Sequence, residues 1–175
     1  MSIESNPVTK SKYHIAQVNI AQMLAPLDDP MMAEFVGSLS EINALADRSP
    51  GFVWRFQTEE GDATGIRPYD DDRIIVNFSV WETIEDLKTY VYKSAHAEVM
   101  RRRRQWFEKF EGMYMALWWV EAGHIPTVAE AKERLEYLSQ HGVSERAFTF
   151  KQPYGPPGKA ADELIIAPFD PCPAT

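Results

Sequence analysis

"RIIVNFSVWETIEDL", residues Arg73–Leu87, changes period halfway along. Up to Trp81 its β-branched and aromatic residues alternate as in a strand. Beyond it, Thr83 followed three residues later by Asp86 is a capping-box-like helix start. Parity divides the strand into Ile74, Val76, Phe78 and Val80 on one face and Ile75, Asn77, Ser79 and Trp81 on the other. The first face suits a cover of helices. The second mixes amide, hydroxyl and indole, and its cover has to be found elsewhere in the chain.

Upstream, "YHIAQVNI" (Tyr13–Ile20) alternates as a first strand, and Pro26 and Pro30 bracket a loop. Phe35, Leu39, Ile42 and Leu45 recur at helical spacing and predict a helix over 31–48, ended by the breakers "SPG". "FVWRFQ" reads as the second strand, and a polar loop from Thr58 to Asp72 leads into the third. The helical pattern after Thr83 runs to about Glu108 with a break near Ser94, and "MYMALWWV" is the fourth strand.

The order is β-α-β-β-α-β, which predicts an α+β, ferredoxin-like antiparallel sheet with its helices on one face. "TVAEAKERLEYLSQHG" adds a C-terminal helix with Thr127 as N-cap and Gly142 as stop, followed by the strand-like "RAFTFK". Residues 1–12 read as a disordered lead, 13–151 as the domain and 152–175 as a Pro/Gly-rich tail.

Composition narrows the function classes. The chain has 175 residues, enough for one domain with a real core. A net charge of −8 opposes the basic footprint of a nucleic-acid binder. No apolar run reaches a membrane span and the N-terminus lacks the apolar segment of a signal peptide, so a cytoplasmic location away from membranes is expected. The single Cys172 excludes an intramolecular disulfide. No H-E-x-x-H or C-x-x-C spacing suggests a metal, and no phosphate loop or nucleophile elbow is present.

The first strand repeats the two-sided pattern, with Tyr13, Ile15, Gln17 and Asn19 sharing a face. In the fourth strand both faces are mostly apolar, which asks for cover on each side. A second copy of the chain meets that need if two sheets pack into a barrel. The amide-and-indole face then lines a semi-closed cavity for a small aromatic or apolar ligand.

"SPGFVWRF", "YVYKSAHAEVMRRRRQWF" and "ALWWVEAGHIPTVAEAKERLEYL" together resemble the domain-of-unknown-function 3291 family, within the dimeric α/β-barrel superfamily. The resemblance spans about Tyr13 to Lys151 and implies the fold and a homodimer. The superfamily includes antibiotic-biosynthesis monooxygenases, which oxidise anthrone-like aromatics without a cofactor, using a first-strand Asn and a third-strand Asn-x-x-x-Trp. Asn19, and Asn77 with Trp81, match those positions and are the catalytic candidates that the resemblance implies. In that role the amides hold an oxyanion and Trp81 stacks on the substrate ring. The structural alternative is that the two Asn satisfy neighbouring backbone and Trp81 closes the core.

Tyr92, His96, Val99, Arg103 and Phe107 fall near one helical face, which puts His96 at the sheet edge or the pocket mouth and Arg103 on its side, either as a carboxylate clamp or, as for the other arginines, in a solvated or dimer-bridging role. Tyr13, Gln17, His96 and Arg103 are the substrate-binding candidates. Haem held through His96 is the alternative cofactor, since some relatives in the superfamily bind it through a helix His. Its structural counterpart is a histidine that anchors the helix. The run Arg101–Arg104 spreads round a full turn and is expected to pair with Glu98, Glu108 or nearby Asp. Three functions remain open: a cofactor-independent oxygenase, a haem protein, or a dimer that binds a small ligand without changing it.

Overall fold

The computed structural model describes residues 11–57, 64 and 68–158. Residues 1–10, most of the long polar loop, and the tail beyond 158 with Cys172 lie outside them. The strands are β1 (Tyr13–Gln22), β2 (Phe52–Arg55), β3 (Ile74–Trp81) and β4 (Met115–Glu121). The helices are α1 (Ala33–Arg48), α2 (Ile84–Lys93), α3 (His96–Arg102) and α4 (Val128–His141). The sheet order is β2-β3-β1-β4 with every neighbouring pair antiparallel, the ferredoxin-like arrangement with an added C-terminal helix.

Local chemistry sets the helix ends. Asp29 caps the short 3-10 turn Pro30–Met32 that leads into α1, its carboxylate accepting from the Met31 N–H. The Thr83 and Thr127 hydroxyls accept from the N–H groups of Asp86 and Glu130 and start α2 and α4. Gly142, at φ 76°, stops α4. The helical region after Thr83 does divide at Ser94, whose hydroxyl bonds back to the Tyr90 carbonyl and accepts from the His96 N–H. It ends in a 3-10 turn, Arg103–Gln105, earlier than the pattern suggested.

The parity of the strands holds, but the assignment of covers to faces is reversed. Val76, Phe78 and Val80 of β3 pack with Trp118 of β4 against Ala131, Leu135 and Leu138 of α4. The opposite face carries Ile15, Trp81 and Leu117 and is closed by Ala46 of α1 and by Ile84 and Leu87 of α2. At its far end Ile75 joins Met23, Phe35 and Trp106, with Val99 of α3. The indole therefore lies beneath α1 and α2, on the face that Asn19 and Asn77 share, and the face expected for those helices belongs to α4. Alternation separates two faces; it does not say which helix each receives when both are largely apolar.

This arrangement answers the need that suggested a partner sheet. β4 is covered on its Trp118 side by α4, where the indole N–H donates to Glu130 Oε1 at 3.1 Å. On its Leu117 side it is covered by Phe148 and Phe150. "RAFTFK" forms isolated bridges rather than a strand: Ala147 bridges Ser144, Thr149 bridges Gln152, and Leu117 and Phe148 exchange N–H to carbonyl bonds of 2.8 and 2.9 Å at the outer edge of β4. Trp119 Nε1 then donates to the Tyr154 carbonyl at 2.7 Å and ties the following residues down.

Candidate functional site

The register of β1 against β3 sets Ile15 opposite Trp81, Gln17 opposite Ser79 and Asn19 opposite Asn77. Cross-strand neighbours on one face stand within side-chain reach, and here they form a continuous polar row. Trp81 Nε1 donates to Ser79 Oγ at 2.9 Å, and Ser79 Oγ lies 3.4 Å from Gln17 Oε1. Gln17 Nε2 donates to Asn19 Oδ1 at 2.8 Å, and Asn77 Nδ2 donates to the same oxygen at 3.3 Å. The row runs from cover to opening: Trp81 is 0%, Gln17 6% and Ser79 8% exposed, Asn19 is half-buried and Asn77 exposed.

Trp81 is enclosed by other rings. The Phe52 ring meets it edge-on with centroids 5.4 Å apart, and Tyr90 stacks on it at 5.0 Å with 28° between planes. Its N–H connects to the exposed end of the row through Ser79 and Gln17. Tyr90, which sequence reasoning missed, is held by this stack, and burial pushes its phenol well above the ordinary tyrosine value. Ser79 was legible only as a member of the polar face. Tyr90 sits three residues after the buried Leu87, a spacing that could have pointed it at the core.

His96 packs its ring on Tyr90 at 4.8 Å, and its Nδ1 lies 3.3 Å from the Val91 carbonyl. The break at Ser94 shifts the helical phase, so Tyr92 and His96 do not share a face: Tyr92 meets Phe150 at 5.6 Å instead. Burial holds the His96 imidazole below the ordinary 6.5, partly offset by the bond to Val91. A histidine depressed in the folded state leaves the unfolded chain to take up its proton first. Stability then falls as pH drops through about 6.5 and levels off below the folded-state value. Urea unfolding between about pH 7.5 and about pH 5 should show this loss in the native chain and a smaller one in His96→Asn. Equal losses in the two proteins would remove His96 as the cause.

Ser79 links Trp81 to Gln17, Gln17 bonds Asn19 and Asn77 bonds Asn19, while His96 meets Trp81 by way of the Tyr90 ring. Tyr13 stands four residues before Gln17, ~13 Å along the strand, with the Lys12 ammonium 5.7 Å from its ring centroid. Arg103 lies half-buried in the 3-10 turn, and among the described residues neither Arg103 nor Tyr13 bonds to the row. Of the arginine run, Arg101 pairs with Glu98 and Arg102 with Glu34 of α1. Among the described residues no group of three or more His, Cys, Asp or Glu could hold a metal ion, and no helix is long and apolar enough to cross a membrane.

Fold and site together define a ferredoxin-like α+β domain with a polar row that runs along one sheet face from the buried Trp81 to the exposed Asn77. The chain belongs to the DUF3291 family, described as a domain of unknown function, whose model matches residues 14–164. No curated protein matches the sequence. Among solved structures the chain is similar to SnoaB, a cofactor-independent oxygenase from Streptomyces nogalater. The identity is 18%, with 64% of this chain and 95% of that one covered and a TM-score of 0.43. It is also similar to a protein of unknown function from Nitrosomonas europaea, at 13% identity, 66% and 97% coverage and a TM-score of 0.42.

Proposed function

We propose that Asn19 and Asn77 bind the oxygen of a small electron-rich aromatic and that the protein is a cofactor-independent monooxygenase. The observation that supports this is the row itself, whose covered members hold two side-by-side amides at its solvent-accessible end. Amide N–H groups fixed before the reaction stabilise a developing oxyanion without the cost of turning solvent round it. An anthrone-like substrate bound there loses a proton from its CH₂ to solvent as negative charge gathers on the ketone oxygen. The resulting carbanion passes electrons to dioxygen. One oxygen atom becomes the new carbonyl and the other leaves as water, so the CH₂ is oxidised and dioxygen reduced. Asn19 and Asn77 orient and stabilise the anion.

Anthrone is the test substrate, with oxygen uptake and anthraquinone formation as readouts. The native protein should turn it over, and Asn19→Ala or Asn77→Ala should each lower the rate roughly 10²-fold, the usual effect of losing one oxyanion donor. Native protein without turnover, or variants as fast as native, would defeat the oxygenase reading. Anthrone bound and released unchanged would favour the binding module. Haem needs a free imidazole nitrogen and an open approach to it. The bond from Nδ1 to Val91 leaves Nε2 of His96 for iron, but burial and the Tyr90 ring packed on the imidazole fit a helix anchor better.

A further inference from the structure

The hydrogen bonds of the row run in one sense. An indole N–H only donates. Ser79 Oγ accepts it and must send its own proton elsewhere, and Gln17 Oε1 is the acceptor at 3.4 Å. With its carbonyl engaged by Ser79, Gln17 turns its NH₂ toward Asn19. Asn19 must then present its carbonyl oxygen inward, where Asn77 also donates to it. The donor-only end thus fixes each amide in turn. Among the described residues the buried side-chain polar atoms without a partner are His14 Nδ1 and Arg134 Nε, so Asn19 Nδ2 is not sealed in.

We propose that Trp81, Ser79 and Gln17 are positioning residues that set the sense of the Asn19 amide. Both N–H groups of Asn19 then serve a ligand oxygen that accepts hydrogen bonds: a carbonyl, enolate or phenolate. This rests on the reading that the row binds the substrate oxygen, and it deepens that reading by assigning the selection to Asn19. A ligand oxygen that must donate finds no acceptor on Asn19, because its carbonyl is already bonded twice. Ser79→Ala frees Gln17 to turn over. Gln17→Glu replaces the donor with a carboxylate, which pulls the Asn19 NH₂ inward and away from the ligand.

The test begins without ligand, by solvent exchange of side-chain NH₂ protons in ¹⁵N-labelled protein. Exchange of the Gln17 NH₂ should be about tenfold faster in Ser79→Ala than in native protein, as expected for loss of one partly buried hydrogen bond. Ser79→Thr, which keeps a hydroxyl, should restore the native rate. In Gln17→Glu the Asn19 NH₂ should exchange more slowly as it turns inward. Anthraquinone, whose oxygens only accept, should shift the Asn19 NH₂ resonances of native protein and bind about tenfold more weakly to Gln17→Glu.

Unchanged exchange in Ser79→Ala and Gln17→Glu, or anthraquinone at saturation leaving the Asn19 NH₂ resonances unmoved, would overturn the proposal. Should Ser79→Ala fail to fold, Gln17→Glu carries the same decision. Anthrone left unoxidised by a protein with the expected exchange pattern defeats the oxygenase reading alone. Oxidation that persists while exchange is unchanged in both variants defeats the positioning proposal alone.

Discussion

Gly51→Ala should lower unfolding stability by about 3 kcal/mol, a drop of about 10 °C in melting temperature for a chain of this size. Gly51 has φ 74°, a left-handed conformation that L side chains rarely adopt. A Cβ there would lie 2.2 Å from Asp86 Oδ2, 2.4 Å from its Cγ and 2.6 Å from its Cβ. Asp86 cannot swing away freely, because its carboxylate accepts from the Thr83 hydroxyl at 2.6 Å while its N–H donates to that hydroxyl at 3.1 Å. The Gly51 carbonyl also accepts from the Glu82 N–H at 2.7 Å, so the turn and the start of α2 are one unit. Rotating the carboxylate would not clear the Asp86 Cβ, so Asp86→Ala should give little relief and Asp86→Gly should recover the steric part. A Gly51→Ala protein with the native melting temperature would contradict this account.

Leu138→Asp should cost at least about 4 kcal/mol, through the loss of a buried aliphatic side chain and the entry of an unpaired charge. Leu138 is 0% exposed and lies with Leu135 and Ala131 against the sheet face of Phe78 and Trp118. Detaching α4 uncovers that face, and large exposed apolar patches recruit other surfaces. The expected result is a raised ANS signal together with self-association seen by light scattering. A Leu138→Asp protein with native mass, dye binding and melting temperature would show that α4 does not hold this face in solution.

Much of the fold was legible because strands and helices differ in period and the helix ends are chemically marked. Thr83, Thr127 and Gly142 all do what their residue types predict. β1 runs two residues past Ile20 because Ala21 and Gln22 pair with Ile75 and Ile74, a partnership that no local propensity announces. The composition of the site face was also readable: Gln17, Asn19, Asn77 and Trp81 share it by parity alone. What covers that face was not readable, since an apolar residue fits either side. The indole shows the same limit. Its place in the Asn-x-x-x-Trp spacing suggested a ring platform, and no local pattern announced that Phe52 and Tyr90 enclose it while its N–H donates to Ser79.

The bridge between Leu117 and Phe148 also bears on how copies of this chain behave when crowded. An unpaired sheet margin is a template for fibrous growth, strand upon strand, between molecules. Here the backbone at Leu117 is already spent on Phe148, and the opposite margin is Phe52–Arg55, only four residues long and interrupted by a register shift. Lateral polymerisation through the sheet therefore meets a margin interrupted at its middle on one side and a stub on the other, even though four aromatic-rich strands lie within.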